Sequence, residues 1–576
     1  MSGFNGGQGP RSPNDDSLAS SDTWVGDQGA EDPSAQNEKL DTDIDSPHMK
    51  SEPSESDHKH EDQRLKVEEE DTHGRPNELR RTIISFNDGD PENPYNWSWG
   101  KKIYILLCGI VAVVNSTLGS SLPSGAINYI GPYFHVTSDQ QLVLPISLFL
   151  VGYVLGPLFF GPLSETYGRK IIMLSSFIVF TIFTMACALS PNWPAFLIFR
   201  LICGINASSA IAVVGGLYAD VFGDTVIRGR AMAIFMAATT CGPMLAPIIS
   251  GFVSVVSWRW TFWVGLIVAG ASMVFLVFLP ETYGPTILKK RAKRMRKETG
   301  NPNIFARIEL EKKGAKQMAT VTLMRPLHMI AYEAIVLFTC LYLSIAYAIF
   351  YLFFEAYPLI FEGIYHMSTG VAGLAFLPIL VGAMIALATF IYYDGVLQRA
   401  KKANAHWASI EEYRRLPLAC FGGPLYVISL FWLGWTASPN IHWIVPMLAG
   451  VPFGIGFMLI FMALLNYITD AYEVFAASGM SATSICRSIF GALLPLAAQP
   501  MYHTLGIPWA SSLLGFLSLA MCIIPFAFIK YGDRIRANSR FCQELKERKE
   551  QRAKEHEELK GTRDESTTNE LETGER

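Results

Sequence analysis

Three charged side chains interrupt long apolar stretches, and they are the residues best placed to do chemistry. Arg200 lies in Phe199-Arg-Leu-Ile-Cys-Gly-Ile-Asn-Ala-Ser-Ser209, Arg487 in Ser484-Ile-Cys-Arg-Ser-Ile-Phe-Gly491, and Glu355 in Tyr351-Leu-Phe-Phe-Glu-Ala-Tyr-Pro358. An ionised side chain at the centre of a bilayer costs at least about 2.5 kcal/mol, so such groups face a partner, a cavity or water. Arg487 falls near the middle of its stretch, has no snorkelling route, and is expected to face a cavity or pair across it in transport or gating. Arg200 sits less than two turns from the predicted end of its stretch; it either snorkels to the interface or faces the interior. Around Glu355, the aromatic residues Tyr342, Tyr347, Tyr351, Phe353 and Phe354 either line a face that holds an aromatic or cationic solute or form an interfacial belt. The chemistry implied is ion pairing and reversible protonation. No Ser/His/Asp arrangement or Gly-x-Ser-x-Gly turn points to an enzyme, no Gly-x-x-x-x-Gly-Lys-Ser/Thr loop to ATP, and the scattered histidines show no metal spacing. No cofactor or metal is expected.

The elements that carry these residues are apolar helices. Of 576 residues, 50% are hydrophobic and only 17% charged, and the formal net charge of −4 argues against a nucleic-acid partner. About 20 apolar residues cross a bilayer core as a helix. Twelve such runs are predicted, near 103–123, 139–161, 170–190, 194–217, 230–253 and 260–280, then 328–353, 370–391, 416–436, 441–466, 474–498 and 509–530. The stretch from Glu281 to Leu327 holds twelve Lys or Arg against four acids, and residues 399–415 add five more. Positive residues concentrate on the cytoplasmic side, which puts both termini there. Residues 1–97 form an acidic, Ser-rich tail expected to be disordered. Residues 98–280 and 328–530 form two six-helix halves, 281–327 a basic central loop, and 531–576 a polar C-terminal tail. No signal peptide is apparent, and no disulfide is expected among the nine cysteines.

Two polar or kinked stretches mark the joints. Gly161-Pro-Leu-Ser-Glu-Thr-Tyr-Gly-Arg-Lys170 is a polar turn between the second and third runs. Gly161 and Gly168 are expected to allow a tight turn and close helix contact, and Arg169 and Lys170 to hold it at the cytoplasmic face. In the fifth run, Pro243 and Pro247 remove backbone donors four residues apart and bend the helix. Small residues beside them admit close packing.

These stretches resemble the major facilitator superfamily. Gly161, Leu163, Gly168, Arg169 and Lys170 match its loop between spans 2 and 3; Glu165 stands where an Asp is usual and Thr166 where the first Arg is usual, so one charge partner is missing or supplied elsewhere. Arg200 and Gly204 resemble its second motif, which implies that Arg200 couples proton movement to a conformational change. Gly242, Pro243, Pro247 and Gly251 resemble a third, associated with antiporters, with Ala238, Ala246 and Ser250 replacing glycines. Asp90–Lys102, Ser257–Trp263 and Leu279–Pro285 are similar to the span flanks of fungal drug:proton antiporters. The resemblance covers about residues 90–542. It implies an all-α membrane protein, with twelve transmembrane helices in two six-helix halves (the major facilitator fold) around a midplane site. It further implies a monomer in the plasma or vacuolar membrane, exchanging protons for small amphipathic or aromatic compounds such as drugs, toxins or secondary metabolites. An importing symporter, a polyamine exporter and a receptor on a transporter fold are the alternatives. The gating set is then Gly161, Leu163, Glu165, Gly168, Arg169, Lys170, Arg200 and Gly204, and the antiporter set Gly242, Pro243, Pro247 and Gly251. The cavity set is Tyr347, Tyr351, Phe354, Glu355 and Arg487. By the same resemblance, Glu165 would approach the start of the eleventh run near Ala476, where a helix N-terminus favours an anion.

Overall fold

The computed structural model describes residues 67–69, 82–87, 89–310, 315–547 and 550–551. Six long helices come first: α1 (Trp99–Ser121), α2 (Asp139–Tyr167), α3 (Arg169–Ala188), α4 (Trp193–Val221), α5 (Thr225–Val253) and α6 (Trp258–Val277). Then follow a basic helix, α7 (Gly284–Thr299), and α8 (Ala315–Tyr332). The second set of spans is built from α9 (Ala334–Tyr357), α10 (Leu377–Lys402), α11 (Glu411–Thr436), α12 (Gly450–Tyr472), α13 (Ala476–Leu493), α14 (Ala498–Met521) and α15 (Ile523–Asn538). Eleven helical runs are long and apolar enough to cross a membrane. The last of them covers 63 residues, about 95 Å at 1.5 Å per residue, three times a bilayer core. It breaks at Gly506, whose φ of 73° and ψ of 162° no helix adopts. Two crossings therefore share that run, and the described chain crosses twelve times.

Within each half the second and fourth spans pack closely against each other. Gly204 of α4 lies so tightly against the Phe149 carbonyl of α2 that a methyl group there would collide with backbone. Gly454 of α12 is held in the same way by the Ile379 carbonyl of α10. Without a hydrophobic drive between helices in lipid, such glycines convert close backbone contact into dispersion energy. The halves meet where α2 packs on α13 and where α5 packs on α10 and the short segment Thr369–Gly373.

Three expectations need correction. The run expected at 328–353 begins at Ala334, because the chain breaks at Glu333. That carboxylate is buried and accepts from the Tyr472 hydroxyl (2.9 Å) and the Phe541 amide (3.4 Å). Within the central loop, the Lys289–Lys297 run is part of helix α7, whose Leu288, Ala292 and Met295 recur on one face and pack against Ile84, Ile304 and Ala306. Finally, residues 82–87 and 89–97 belong to a packed layer rather than a disordered tail. Strand β2 (Thr82–Ile84) pairs antiparallel with β1 (Val67–Glu69) and parallel with β3 (Ile304–Ala306). Asp90, 6% exposed, accepts from Arg291 Nη1 at 2.5 Å. Tyr95 reaches the α4 carbonyl of Ala219 at 3.4 Å. The rest of the N-terminal tail lies outside the described residues.

Candidate functional site

At mid-depth between the halves, hydroxyls and aromatic rings converge on one arginine. Ser116 of α1 and Tyr153 of α2 share a hydrogen bond of 2.6 Å, and Ser120 of α1 meets Tyr351 of α9 at 2.9 Å. Tyr347 donates to Tyr351 at 3.5 Å, one turn along the same helix. Arg487 of α13 points among them, 8% exposed, with its guanidinium 5.4 Å from the Tyr347 ring centre and 6.0 Å from that of Phe461. Its Nε has no hydrogen-bond acceptor among the described residues. Of the cavity residues named from sequence, the structure thus brings Tyr347, Tyr351 and Arg487 together. Phe354 lies one turn further on, stacked on Phe376, and lines a cleft of about 270 Å³ with Ser124, Pro247, Glu362 and Thr369. Glu355 is half-buried on α9 and does not line that cleft. Tyr342, Tyr347, Tyr351, Phe353 and Phe354 of α9 are buried within the bundle, so they are no interfacial belt.

Arg200 has a different environment. It is 2% exposed and does not snorkel; Nε donates to Pro145 O (2.9 Å), Nη1 to Gly119 O (2.8 Å) and Nη2 to Ser120 O (2.9 Å). The guanidinium also lies 4.5 Å from the centre of the Phe149 ring. One arginine on α4 thereby staples α1 and α2, and its contact at Ser120 adjoins the hydroxyl that meets Tyr351.

At the end of the bundle that carries α7, the loop between α2 and α3 shrinks to a single residue. Gly168 adopts φ 104°, and the Glu281 carboxylate occupies the space a side chain would need. Gly161 lies inside α2 with open space around it, so it makes neither the turn nor the close contact expected of it. Arg169 is buried instead of exposed to the bilayer surface. Its Nε donates to Asp220 Oδ2 at 3.1 Å, Nη1 to Ser164 Oγ at 2.6 Å, and its amide to Glu281 Oε1 at 2.9 Å. The Lys170 amide donates to the other Glu281 oxygen at 3.3 Å. Glu165, largely exposed, sits 3.9 Å from Arg169; Leu163 is half-buried. The carboxylates at the heart of this joint are therefore Asp220 and Glu281, neither singled out as a charge partner in the sequence. The second half repeats the device: Arg415 Nε donates to Asp470 Oδ2 at 3.2 Å, and Arg414 lies 3.8 Å from it.

Both ends of the seam between halves are bridged. At the α7 end, Arg230 of α5 pairs with Asp394 of α10 at 3.2 Å. At the opposite end, Asn128 donates to Glu362 (2.9 Å) and Ser147 to Ala492 O (2.8 Å). The antiporter-like stretch serves both sides of this seam. Gly242 admits the α1 backbone at Leu118, while Pro247 and Gly251 lie against Gly373 and Thr369 of the second half. Pro243 accepts from Ser121 through its carbonyl at 3.2 Å.

Two six-helix halves around a buried polar centre are the architecture of a membrane transporter. The Major Facilitator Superfamily profile matches residues 107–495, and the chain belongs to that family. It is 39% identical to the efflux pump FUB11 of Gibberella moniliformis, over 80% of this chain and 78% of that one. It is 38% identical to polyamine transporter 3 of Saccharomyces cerevisiae, over 79% and 72% respectively. Among solved structures, the proton:xylose symporter XylE bound to a bromodeoxyglucose is similar in fold, with a TM-score of 0.56 at 16% identity, covering 75% of this chain and 97% of that one.

Proposed function

We propose that this chain is a proton-coupled exporter of small amphipathic or aromatic compounds, resident in the plasma membrane with both termini in the cytoplasm. The observation that carries the reading is the closed centre at Ser120, Tyr351 and Arg487, where side chains of both halves meet. Rocking of the halves about that centre would expose it first through the Arg230–Asp394 side and then through the Asn128–Glu362 side. Twelve Lys or Arg between Glu281 and Leu327 support a cytoplasmic position for the α7 end. The efflux-pump relative and the paired prolines of α5 favour export over nutrient import.

Glu355 is the proton carrier in this reading, because it is half-buried on the same helix as Tyr347 and Tyr351. Protonation would remove its charge before the inward-to-outward change, consistent with the high cost of an ionised group at membrane depth. The test is retention of a fluorescent amphipathic compound in cells stripped of their own exporters. Loss of the compound that stops when a protonophore collapses the gradient supports the reading. Gradient-driven accumulation would instead identify an importer.

A further inference from the structure

Four arginines are buried among the described residues, and three of them have acceptors. Arg169 has Asp220 at 3.1 Å, Arg415 has Asp470 at 3.2 Å, and Arg200 has three backbone carbonyls. Arg487 makes no ion pair among the described residues, and its Nε is buried without an acceptor. A guanidinium has five donors in a planar fork, shaped for two carboxylate oxygens, and it cannot shed its proton to escape the cost of burial. Leaving its Nε buried without an acceptor is stable only if a mobile anion or water completes it during the cycle.

The surroundings decide which anion. Tyr347 and Phe461 present ring faces to the guanidinium at 5.4 and 6.0 Å, and their own centres are 6.1 Å apart. Tyr153 and Tyr351 add hydroxyls tied to Ser116 and Ser120, so polar groups lie beside the arginine rather than around it. A small inorganic anion would meet the guanidinium but make no use of the aromatic side chains beside it. A planar arene bearing one negative group would use both.

We propose that Arg487 is the substrate's anion receptor, and that the transported compounds are monoanionic aromatic acids. The carboxylate, or an acidic phenolate, sits on the Arg487 fork and the ring packs against Tyr347 and Phe461. This rests on the exporter reading and narrows it, since a fixed positive charge at the centre disfavours the cationic solutes that the aromatic face alone would accommodate. Arg487 is then a specificity-determining residue, and polyamines are poor substrates for this chain.

The test uses the full chain purified in detergent and three matched probes: 2-naphthylacetate, 2-naphthaleneethanol and 2-naphthaleneethylamine. Binding is read by calorimetry. The carboxylate is expected to bind roughly tenfold to a hundredfold more tightly than the alcohol, the span of a charge-assisted hydrogen bond expressed as affinity, and the amine more weakly than either. Arg487→Gln should abolish the preference, and Arg487→Lys should keep it in weakened form because the charge remains without the fork. Should Arg487→Gln fail to fold, the order of the three probes on the unaltered chain decides. Equal affinity for the three, tighter binding of the amine, no binding of the carboxylate, or undiminished carboxylate binding by Arg487→Gln would each overturn the proposal. Flux in the stripped cells separates the two readings. Arg487-dependent carboxylate binding without protonophore-sensitive efflux leaves the site standing and removes the exporter, whereas efflux of the amine alone does the reverse.

Discussion

Arg200 and Arg169 show what a sequence reveals about a charged residue and what it hides. Both stood out by position and motif, yet their partners did not. Arg200 is held by carbonyls of Pro145, Gly119 and Ser120, and any residue type supplies a carbonyl, so no pattern of side chains could have announced them. Asp220 and Glu281 are side-chain partners of the Arg169 joint, but they lie 51 and 112 residues further along the chain, a pairing that only the folded bundle creates. The difference predicts distinct mutant behaviour. Arg200→Lys should destabilise almost as much as Arg200→Leu, by several kcal/mol at about 1.5–3 kcal/mol per charged hydrogen bond lost, because an ammonium cannot reach three diverging acceptors. Thermal melting of the purified chain checks this, and a Lys variant as stable as the parent would show that charge alone suffices. At the joint, Arg169→Ala leaves the Asp220 carboxylate, 18% exposed, without its cation and should cost about 3 kcal/mol or less. Asp220→Asn should cost less, since a neutral acceptor remains on the same helix. Comparing the two melting temperatures tests that ordering.

At the scale of elements, span positions were legible because twenty apolar residues mean the same thing wherever they occur. The basic run was misread for a related reason: charge dominates its composition, and the apolar stripe Leu288, Ala292 and Met295 is hidden between lysines and arginines. Its spacing of four and three residues was the available signal for an amphipathic helix. The packing partner, Ile84, sits in a segment whose polar neighbours mask it. Helix α7 is clasped at its C-terminal end, where Arg296 donates to both Glu309 oxygens at 3.0 and 2.9 Å and Glu309 also accepts from the Ala306 amide at 3.1 Å. The Arg296 hydrogen bonds hold the Glu309 carboxyl below its ordinary value of 4.5. A depressed folded value means the clasp contributes fully above the unfolded value and is lost as pH falls through the folded one. Hydrogen exchange of residues 304–309 should therefore be flat from pH 8 to pH 5 after correction for intrinsic rates, and should accelerate below about pH 4. In Glu309→Gln the acid-dependent rise should disappear. A close contact gives the other prediction at this scale: Gly242→Val would drive a branched side chain into the α1 backbone at Leu118, and overpacking of this kind costs about 1–3 kcal/mol. Reduced yield and a lower melting temperature would register it, whereas Gly161→Val, in open space, should leave both unchanged.

For the whole molecule the question is which contacts hold the two halves in the closed arrangement. No internal repeat is visible along the sequence, yet the fold places Arg169 with Asp220 and Arg415 with Asp470, and Gly204 against α2 as Gly454 against α10. The repeat is geometric, carried by a few joints whose intervening residues have diverged. The sequence resemblance brings Glu165 towards the start of α13; among the described residues, the ion pair that spans the halves at the α7 end is Arg230 with Asp394. Its two sides are unequal: the Arg230 side chain is 45% exposed and that of Asp394 only 9%. Removing the arginine strands a buried carboxylate, while removing the carboxylate leaves an arginine that can turn to water. Arg230→Ala should consequently favour the form open at this end more than Asp394→Asn does. For a half-exposed pair the shift is about 1 kcal/mol or less, up to roughly a fivefold change in population. Hydrogen exchange at residues 226–234 and 392–400 would report the opening, with faster exchange in Arg230→Asp and recovery in Arg230→Asp combined with Asp394→Arg. Recovery in the double variant separates a true pair from two independent losses, because only coupled residues restore each other. If the reversed pair exchanges as fast as the single variants, the seam is held by the apolar contact of Ala233 and Ala237 with Ala386 and Phe390, and the ion pair only sits over it.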